Sequence, residues 1–219
     1  MFVGDQGSGK SYAMLATACE LDPEFTIDGN LFLRAGALMS HIGEFYKGGR
    51  IGQIGKIWIY DECGIDLNSK KHMDAINKGF NAFFQTMRHR RYIFLGSVPK
   101  LKYLSKGVRE QMHIRITADS WDGDRYTTKI LPREMQYNED KDMSYIKRYV
   151  VKIGKKDYPL NTVHIPKPPQ HIIDEYEIMK SEFTDSVMKE VNEEIRFFEQ
   201  RKLKERVSEL GSNPEMSSL

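Results

Sequence analysis

Cysteine is scarce in this chain, and long apolar runs are missing from it. Among 219 residues there are two cysteines, Cys19 and Cys63, too few for a disulfide scaffold and short of the four ligands of a usual structural zinc site. No run of about 18 apolar residues occurs, and the first residues lack the basic flank and apolar stretch of a signal peptide. We therefore expect a soluble protein of a reducing cytoplasm.

An excess of one charge is also lacking. The chain has 33 Lys and Arg against 31 Asp and Glu, a formal net charge of +2, so the whole-chain charge indicates no partner. A partner such as nucleic acid must be argued from local patches. With 40% hydrophobic and 11% aromatic residues, the chain can bury a sizeable core, which excludes a disordered protein.

Apolar runs alternate with helical patterns as far as residue 121, which predicts an α/β fold with a mostly parallel central sheet flanked by helices. We assign residues 1–121 to this core. The predicted strands are residues 1–3, 25–33, 57–60, 92–98 and 113–117, and the predicted helices are residues 10–21 and 70–91.

The rest of the chain has a different pattern. Residues 122–165 predict a β-rich extension of the core, a meander with strands at 126–131 and 145–153. A proline-rich linker at 166–171 precedes a charged amphipathic helix at 172–210, and residues 211–219 are expected to form a disordered tail. Apolar residues recur every three or four positions along that helix, a stripe that would lie along the body or pair with another chain: Tyr176, Met179, Phe183, Val187, Val191, Ile195 and Phe198.

A complete GxxxxGK[ST] motif stands between the first strand and the first helix. It consists of Gly4, Asp5, Gln6, Gly7, Ser8, Gly9, Lys10 and Ser11. Glycines let the backbone wrap closely around phosphates, and the following helix presents its positive end to them. Lys10 would reach the β and γ phosphates, and the Ser11 hydroxyl would be a ligand of Mg²⁺. We expect a nucleotide site for ATP and Mg²⁺, in which Tyr12 completes the nucleotide-binding set.

Two adjacent acids, Asp61 and Glu62, follow the apolar strand at residues 57–60. The carboxyl ends of strands in open α/β sheets are where ligands bind, so this is a Walker B pattern. Asp61 would hold the Mg²⁺ shell, and Glu62 would act as the general base for the attacking water.

Other nucleotide-dependent classes fit less well. Asp61 to Gly64 also match the DxxG of GTPases, but residues 77–80 lack the Asp of the guanine-binding Asn-Lys-x-Asp motif. Kinases of small acceptors typically have no Glu beside the metal-binding Asp. An acid that activates water therefore favours hydrolysis, with a kinase kept as a rival.

Seven cationic residues and no acid occupy the segment 88–109. In ring-forming ATPases an arginine from one subunit reaches the γ-phosphate of its neighbour, and the candidates here are Arg88, Arg90, Arg91 and Arg109. The remaining cations could contact the phosphates of a nucleic acid, or could simply be a solvated basic helix end. Ser97, at the end of the next strand, is a candidate sensor of the γ-phosphate or lytic water.

The order of these motifs resembles the FtsK/HerA superfamily of P-loop ATPases, and within it zonular occludens toxin-like phage assembly ATPases and virus genome-packaging ATPases. The resemblance covers residues 1–121. It implies Lys10 and Ser11 on ATP·Mg, Asp61 on the metal and Glu62 as base. It also implies Arg88 or Arg91 as the finger, and a hexameric ring that translocates DNA.

The resemblance leaves two functions from different classes. The first is ATP hydrolysis that drives DNA translocation or packaging by a ring motor of a virus or mobile element. The second is an ATP-dependent assembly or scaffold protein that docks a partner through the C-terminal helix without pumping DNA. The missing apolar segment after the core favours a soluble packaging motor over a membrane-bound assembly protein.

Overall fold

The computed structural model of the protein describes residues 1–47, 55–63, 73–87, 91–123, 127–138 and 140–211. Within those ranges the strands are β1 Phe2–Val3, β2 Leu31–Phe32, β3 Ile57–Tyr60, β4 Ile93–Val98, β5 Ile114–Asp122, β6 Thr127–Asn138, β7 Met143–Ile153, β8 Lys156–Leu160 and β9 Val163–Pro166. The helices are α1 Lys10–Leu21, α2 Ala35–Lys47, α3 Met73–Met87, α4 Lys106–Glu110 and α5 Gln170–Gly211.

The described strands form one sheet in the order β2-β3-β4-β1-β5-β6-β7-β8, with β9 paired to β6. The pairs from β2 to β5 are parallel, and those from β5 onwards are antiparallel. Helices follow β1, β2 and β3 because a parallel neighbour requires a crossover connection. The predicted α/β fold with a mostly parallel centre flanked by helices is confirmed.

The central strands are short but deeply buried. Phe2 is fully buried and lies in register between Ser97 of β4 and Ile116 of β5, so β1 occupies the middle of the parallel part. All four residues of β3 are buried, as expected of a strand covered on both faces. The phosphate-binding motif therefore leaves the sheet at its centre.

Aromatic side chains fill the core on the side of α2, α3 and α4. Phe80 of α3 stacks on Tyr60 with ring centroids 5.6 Å apart, and Trp58 lies 5.8 Å from Phe83. Helix α1 packs against β1, β4, β6 and β9, and buries Met14 and Leu15 completely. The aromatic residues on the buried face of α3 contribute to the periodicity that predicts a helix at residues 70–91.

Several element bounds differ from the predicted ones. β2 covers only two residues of the expected 25–33, because the chain turns at Asp22 to Phe25 and again at Gly29, whose φ is 75°. The predicted meander at 122–165 has two named strands, whereas the structure has β8 and β9 as well, each of which contains a proline. Both prolines lie in strands on the periphery of the antiparallel part, where a missing N–H is tolerated.

Residues 176–219 form a unit of their own by internal contacts, and its described part is the body of α5. Tyr176 and Phe183 from the apolar stripe are buried, whereas Val191, Ile195 and Phe198 are exposed. Helix α5 begins at Gln170, inside the segment predicted as a linker. Among the described helices, none has a stretch long and apolar enough to cross a membrane.

Candidate nucleotide-binding site

The loop between β1 and α1 has the conformation that its glycines allow. Gly7 and Gly9 adopt left-handed φ angles of 77° and 81°, and Gly9 is the N-cap of α1. Because Gly9 has no side chain, the first N–H groups of the helix receive no side-chain cap from it. Such a helix start is a binding site for an anion. Asp5 and Gln6 are exposed at the loop tip.

Two glycines of the loop lie so close to the neighbouring strands that a side chain at either position would clash with them. A Cβ on Gly4 would stand 2.4 Å from the carbonyl oxygen of Ala118, and one on Gly9 would stand 2.5 Å from Oγ1 of Thr128. Thr128 is almost fully buried, and its hydroxyl donates to the Gly9 carbonyl over 3.3 Å. Thr128 is thus a supporting residue of the loop that the sequence reading missed. It belongs to β6, in the extension to which no role had been assigned.

Lys10 and Ser11 begin helix α1. The Lys10 Nζ donates to the carbonyl oxygen of Asp5 over 2.6 Å, so the ammonium lies across its own loop. The Ser11 hydroxyl donates to Oδ2 of Asp61 over 3.0 Å, although the two residues are 50 positions apart. The structure therefore joins the two predicted metal ligands in one contact. Ser8 is buried, and its Oγ makes no hydrogen bond within the described ranges.

Asp61 is completely buried at the end of β3. Its Oδ1 accepts a hydrogen bond from the backbone N–H of Glu62 over 3.0 Å and a short one from the Ser97 hydroxyl. With Ser11 on its other oxygen, the carboxylate accepts from at least three donors in the described part of the chain. A buried carboxylate requires such partners, because burial without them costs several kcal/mol, roughly.

Glu62 has a left-handed backbone with φ of 53°, which is uncommon for a residue with a side chain. Its N–H is held by both Asp61 and the Ser97 hydroxyl, each at 3.0 Å. These hydrogen bonds offset a conformational cost of about 1 kcal/mol or more. The chain therefore turns sharply after Asp61, and Glu62 lies half-buried beside it.

A backbone hydrogen bond between Cys63 and Ser97 connects the end of β3 to β4 next to Asp61 and Glu62. The Cys63 N–H donates to the Ser97 carbonyl over 3.0 Å, and the Cys63 thiol donates to the Tyr60 carbonyl. Burial, with Asp61 nearby, raises the pKa of the Cys63 thiol above its ordinary value. The thiol therefore stays protonated at neutral pH and serves packing. Ser97, the predicted sensor, contacts the side chain of Asp61, the predicted metal ligand, and the backbone of Glu62, the predicted base.

The predicted arginine fingers are placed unevenly. Arg88 and Arg90 lie outside the described residues. Arg91 is exposed with φ of 54° and precedes β4, whereas Ser97 lies near the carboxyl end of that strand. Ser97 is six positions further along the chain than Arg91, about 20 Å at the rise of a β-strand. Arg91 is therefore far from the loop of its own subunit.

The basic segment is less uniformly positive than its sequence indicates. Lys106 makes a short ion pair with Asp142, and its Nζ lies 3.7 Å from Oε1 of Glu110. This hydrogen bond raises the pKa of Lys106 and lowers the pKa of Asp142, which also accepts from the Tyr137 hydroxyl. Lys100 and Lys102 stay exposed. Acids from outside the segment therefore neutralise part of its charge at Lys106, because the connection between β6 and β7 brings Asp142 to it.

The loop is bordered on its other side by β5. Tyr12 contacts Trp121 of β5 in an edge-to-face arrangement, with ring centroids 5.8 Å apart. A cavity of about 400 Å³ lies between the carboxyl ends of β1 and β4 and the middle of β5, lined by Asp5, Lys100 and Arg115 among others. Ser11 is thus directed towards β3 while Tyr12, the next residue, is directed towards β5.

No protein-family model matches the chain, and no curated protein matches it either. Among solved structures, the genome packaging NTPase B204 from Sulfolobus turreted icosahedral virus 2, in complex with AMP, is 14% identical and matches 68% of this chain and 96% of its own, with a TM-score of 0.37. Its complex with ATP-gammaS matches with 14% identity, 67% and 94% coverage and a TM-score of 0.38.

The N-terminal domain of zonular occludens toxin from Neisseria meningitidis is 16% identical and matches 66% of this chain and 91% of its own, with a TM-score of 0.37. The solved structures thus come from the two groups that the sequence motifs resemble. At TM-scores below 0.5 the likeness assigns neither a substrate nor a role to any residue.

A double-mutant cycle tests the support that Thr128 gives to the loop. Gly9→Ala is expected to lower the free energy of unfolding by about 1–3 kcal/mol, because the added Cβ meets Thr128 in a left-handed backbone. Thr128→Ala removes the hydroxyl that is nearest to that Cβ, so the double variant should lose less than the sum of the singles in urea denaturation.

Gly7→Ala is the matched control, because Gly7 shares the left-handed φ but has open space around its Cβ position. The decrease in the free energy of unfolding caused by Gly7→Ala should be the same with and without Thr128→Ala. Additive losses for Gly9→Ala and Thr128→Ala would mean that Thr128 does not constrain the loop.

Proposed function

We propose that this chain is a magnesium-dependent ATPase whose turnover drives DNA translocation or packaging by an oligomeric ring, a hexamer by resemblance. The observation that carries the proposal is the 3.0 Å hydrogen bond from Ser11 to Asp61. It joins the end of the phosphate-binding motif to the acid at the end of β3, at the start of a helix that has no side-chain cap. This geometry supports one site for a nucleoside triphosphate and its metal.

The donor set fits Mg²⁺, which prefers hard oxygen ligands and usually binds one or two protein groups together with substrate phosphates. The Ser11 hydroxyl and the Asp61 carboxylate are such ligands, and Asp61 is held in place by Ser97. Mg²⁺ bound there would neutralise charge on the β and γ phosphates. Lys10, released from the Asp5 carbonyl, would pair with the same phosphates.

The position of Glu62 supports hydrolysis. A carboxylate next to the metal-binding acid can accept a proton from water, and its backbone is fixed by two hydrogen bonds to Asp61 and Ser97. We assign the general base to Glu62. Ser97 would act as a sensor, because its hydroxyl links the metal-binding acid to the backbone of the base.

The finger is proposed to act from a neighbouring subunit. Arg91 is exposed and about 20 Å along β4 from its own Ser97, so it can serve only another copy of the site. Arg88, outside the described residues, remains the second candidate. An arginine at the γ-phosphate stabilises the charge that develops there during transfer to water.

Two substitutions test the proposed chemistry. Lys10→Ala should weaken ATP binding at least tenfold, roughly, because the phosphates lose their cation. Glu62→Gln should bind ATP normally but lower kcat by about 10²–10⁴-fold, because an amide cannot accept the proton of water. Calorimetric titration measures binding, and phosphate release measures turnover.

Glu24→Gln is the matched control, since Glu24 is an exposed acid outside the site. It should leave both quantities unchanged. Normal turnover by Glu62→Gln would contradict the assigned base.

The motor and the scaffold differ in their response to DNA. Turnover stimulated by duplex DNA in an oligomer is expected of the motor, with mass measured in the same samples by light scattering. A monomer that binds ATP and is indifferent to DNA would instead support the assembly or scaffold protein. Transfer of phosphate to a small acceptor without DNA would support a kinase.

A further inference from the structure

The second half of β7 and the whole of β8 form a two-stranded ribbon that leaves the sheet. The first half of β7 pairs with β6, but from Tyr149 onwards its register partners are in β8. At the same edge, β6 pairs instead with β9. The ribbon therefore continues as two strands, about 17 Å long by strand rise.

Both faces of this ribbon are exposed. Val150, Ile153 and Tyr158 have 42%, 64% and 45% of their surface accessible, although they alternate between the two faces. A two-stranded hairpin that buries neither face is marginally stable in water. Its exposed surface is thus available to a partner.

The ribbon and its base carry a local excess of positive charge. Residues 143–160 contain five cationic side chains against one acid, in a chain whose overall net charge is +2. Within the described part of the chain, none of the five forms an ion pair. They are all exposed: Lys147, Arg148, Lys152, Lys155 and Lys156.

The tip concentrates this charge. Ile153 pairs with Lys156, which leaves Gly154 and Lys155 as a two-residue turn with Gly154 at φ of 63°. Lys152, Lys155 and Lys156 therefore lie within five consecutive residues at the end of the ribbon. Asp157, the one acid among residues 143–160, is the cross-strand neighbour of Lys152.

We propose that this β7–β8 ribbon binds double-stranded DNA, with its tip lysines on the phosphates. The proposal rests on the proposed function, because DNA is there the substrate of the motor. The major groove of B-DNA is about 12 Å wide and admits a two-stranded β-ribbon. Cationic side chains on such a ribbon gain affinity by releasing counterions from the phosphates.

The composition favours DNA over a protein partner. The buried centres of protein interfaces are depleted of lysine, whereas the most exposed end of this ribbon is rich in it. The exposed Tyr158 on β8 adds apolar surface that can contact the sugars of the backbone. Lysine on an edge strand also deters aggregation. If that is the role of these lysines, replacing them should cause aggregation and leave DNA binding unchanged.

The test compares two triple variants of the full chain. The ribbon variant is Lys152→Gln, Lys155→Gln and Lys156→Gln, and the control variant is Lys189→Gln, Lys202→Gln and Lys204→Gln on the exposed surface of α5. Fluorescence anisotropy measures binding to a labelled duplex of mixed sequence and about three helical turns, roughly 30 base pairs. Basal ATP turnover, thermal unfolding and oligomeric mass are recorded for each protein.

The ribbon variant is expected to bind the duplex at least about tenfold more weakly. If each lysine contacts one phosphate, the negative slope of log K against log salt should become shallower by about 2.7. Its basal turnover and unfolding should match the wild type, while its stimulation by DNA should be lost. The control variant should bind DNA as the wild type does. Replacing the three tip lysines by arginine should preserve binding, because the charge is kept.

Each other outcome overturns the proposal. Unchanged DNA binding by the ribbon variant, with aggregation or a lower oligomeric mass, would make the ribbon a protective edge or a subunit interface. Equal losses in the arginine and glutamine variants would mean that charge does not carry the binding. A wild type that hydrolyses ATP but neither binds nor responds to DNA would remove the DNA part of the proposed function and the ribbon proposal together. DNA stimulation that survives in the ribbon variant would remove the ribbon proposal alone.

Discussion

The hydrogen bond between Ser11 and Asp61 is the contact on which the site depends, because it requires β1 and β3 to end at one edge of the sheet. In the strand order β2-β3-β4-β1-β5, β4 lies between these two strands, and its Ser97 hydroxyl bonds to the same carboxylate. Three neighbouring strand ends thus converge on one buried acid. Any disturbance of the parallel register would separate the loop between β1 and α1 from Asp61.

The antiparallel part of the sheet is tied to this centre from the other direction. Ala118 of β5 lies against Gly4, and Thr128 of β6, in the extension, lies against Gly9, so core and extension together fix the backbone of the loop. The same extension brings Asp142 to Lys106. It then ends in the exposed β7–β8 ribbon. A physical link therefore runs from the proposed DNA-binding surface through β6 to the nucleotide-binding loop.

Much of the centre could be predicted from sequence because its signals are local. Gly4 to Ser11 form a contiguous motif, and Asp61 follows a run of four apolar residues, so the position of each relative to its strand was readable. Thr128 and Asp142 could not be found in this way. Their roles depend on antiparallel register across β5, β6 and β7, which no short motif encodes. β8 and β9 have five and four residues and each contains a proline, so their sequences carry little strand pattern.

The assignment of Ser11 and Asp61 to one metal ion can be measured directly with a double-mutant cycle on kcat. Ser11→Ala and Asp61→Asn each remove one ligand and keep the size of the side chain close to the original. If both hold the same metal ion, the double variant should turn over ATP within about threefold of the slower single variant, because the second loss removes little that remains. Effects that multiply in full would show that the two residues act independently and would contradict the shared site.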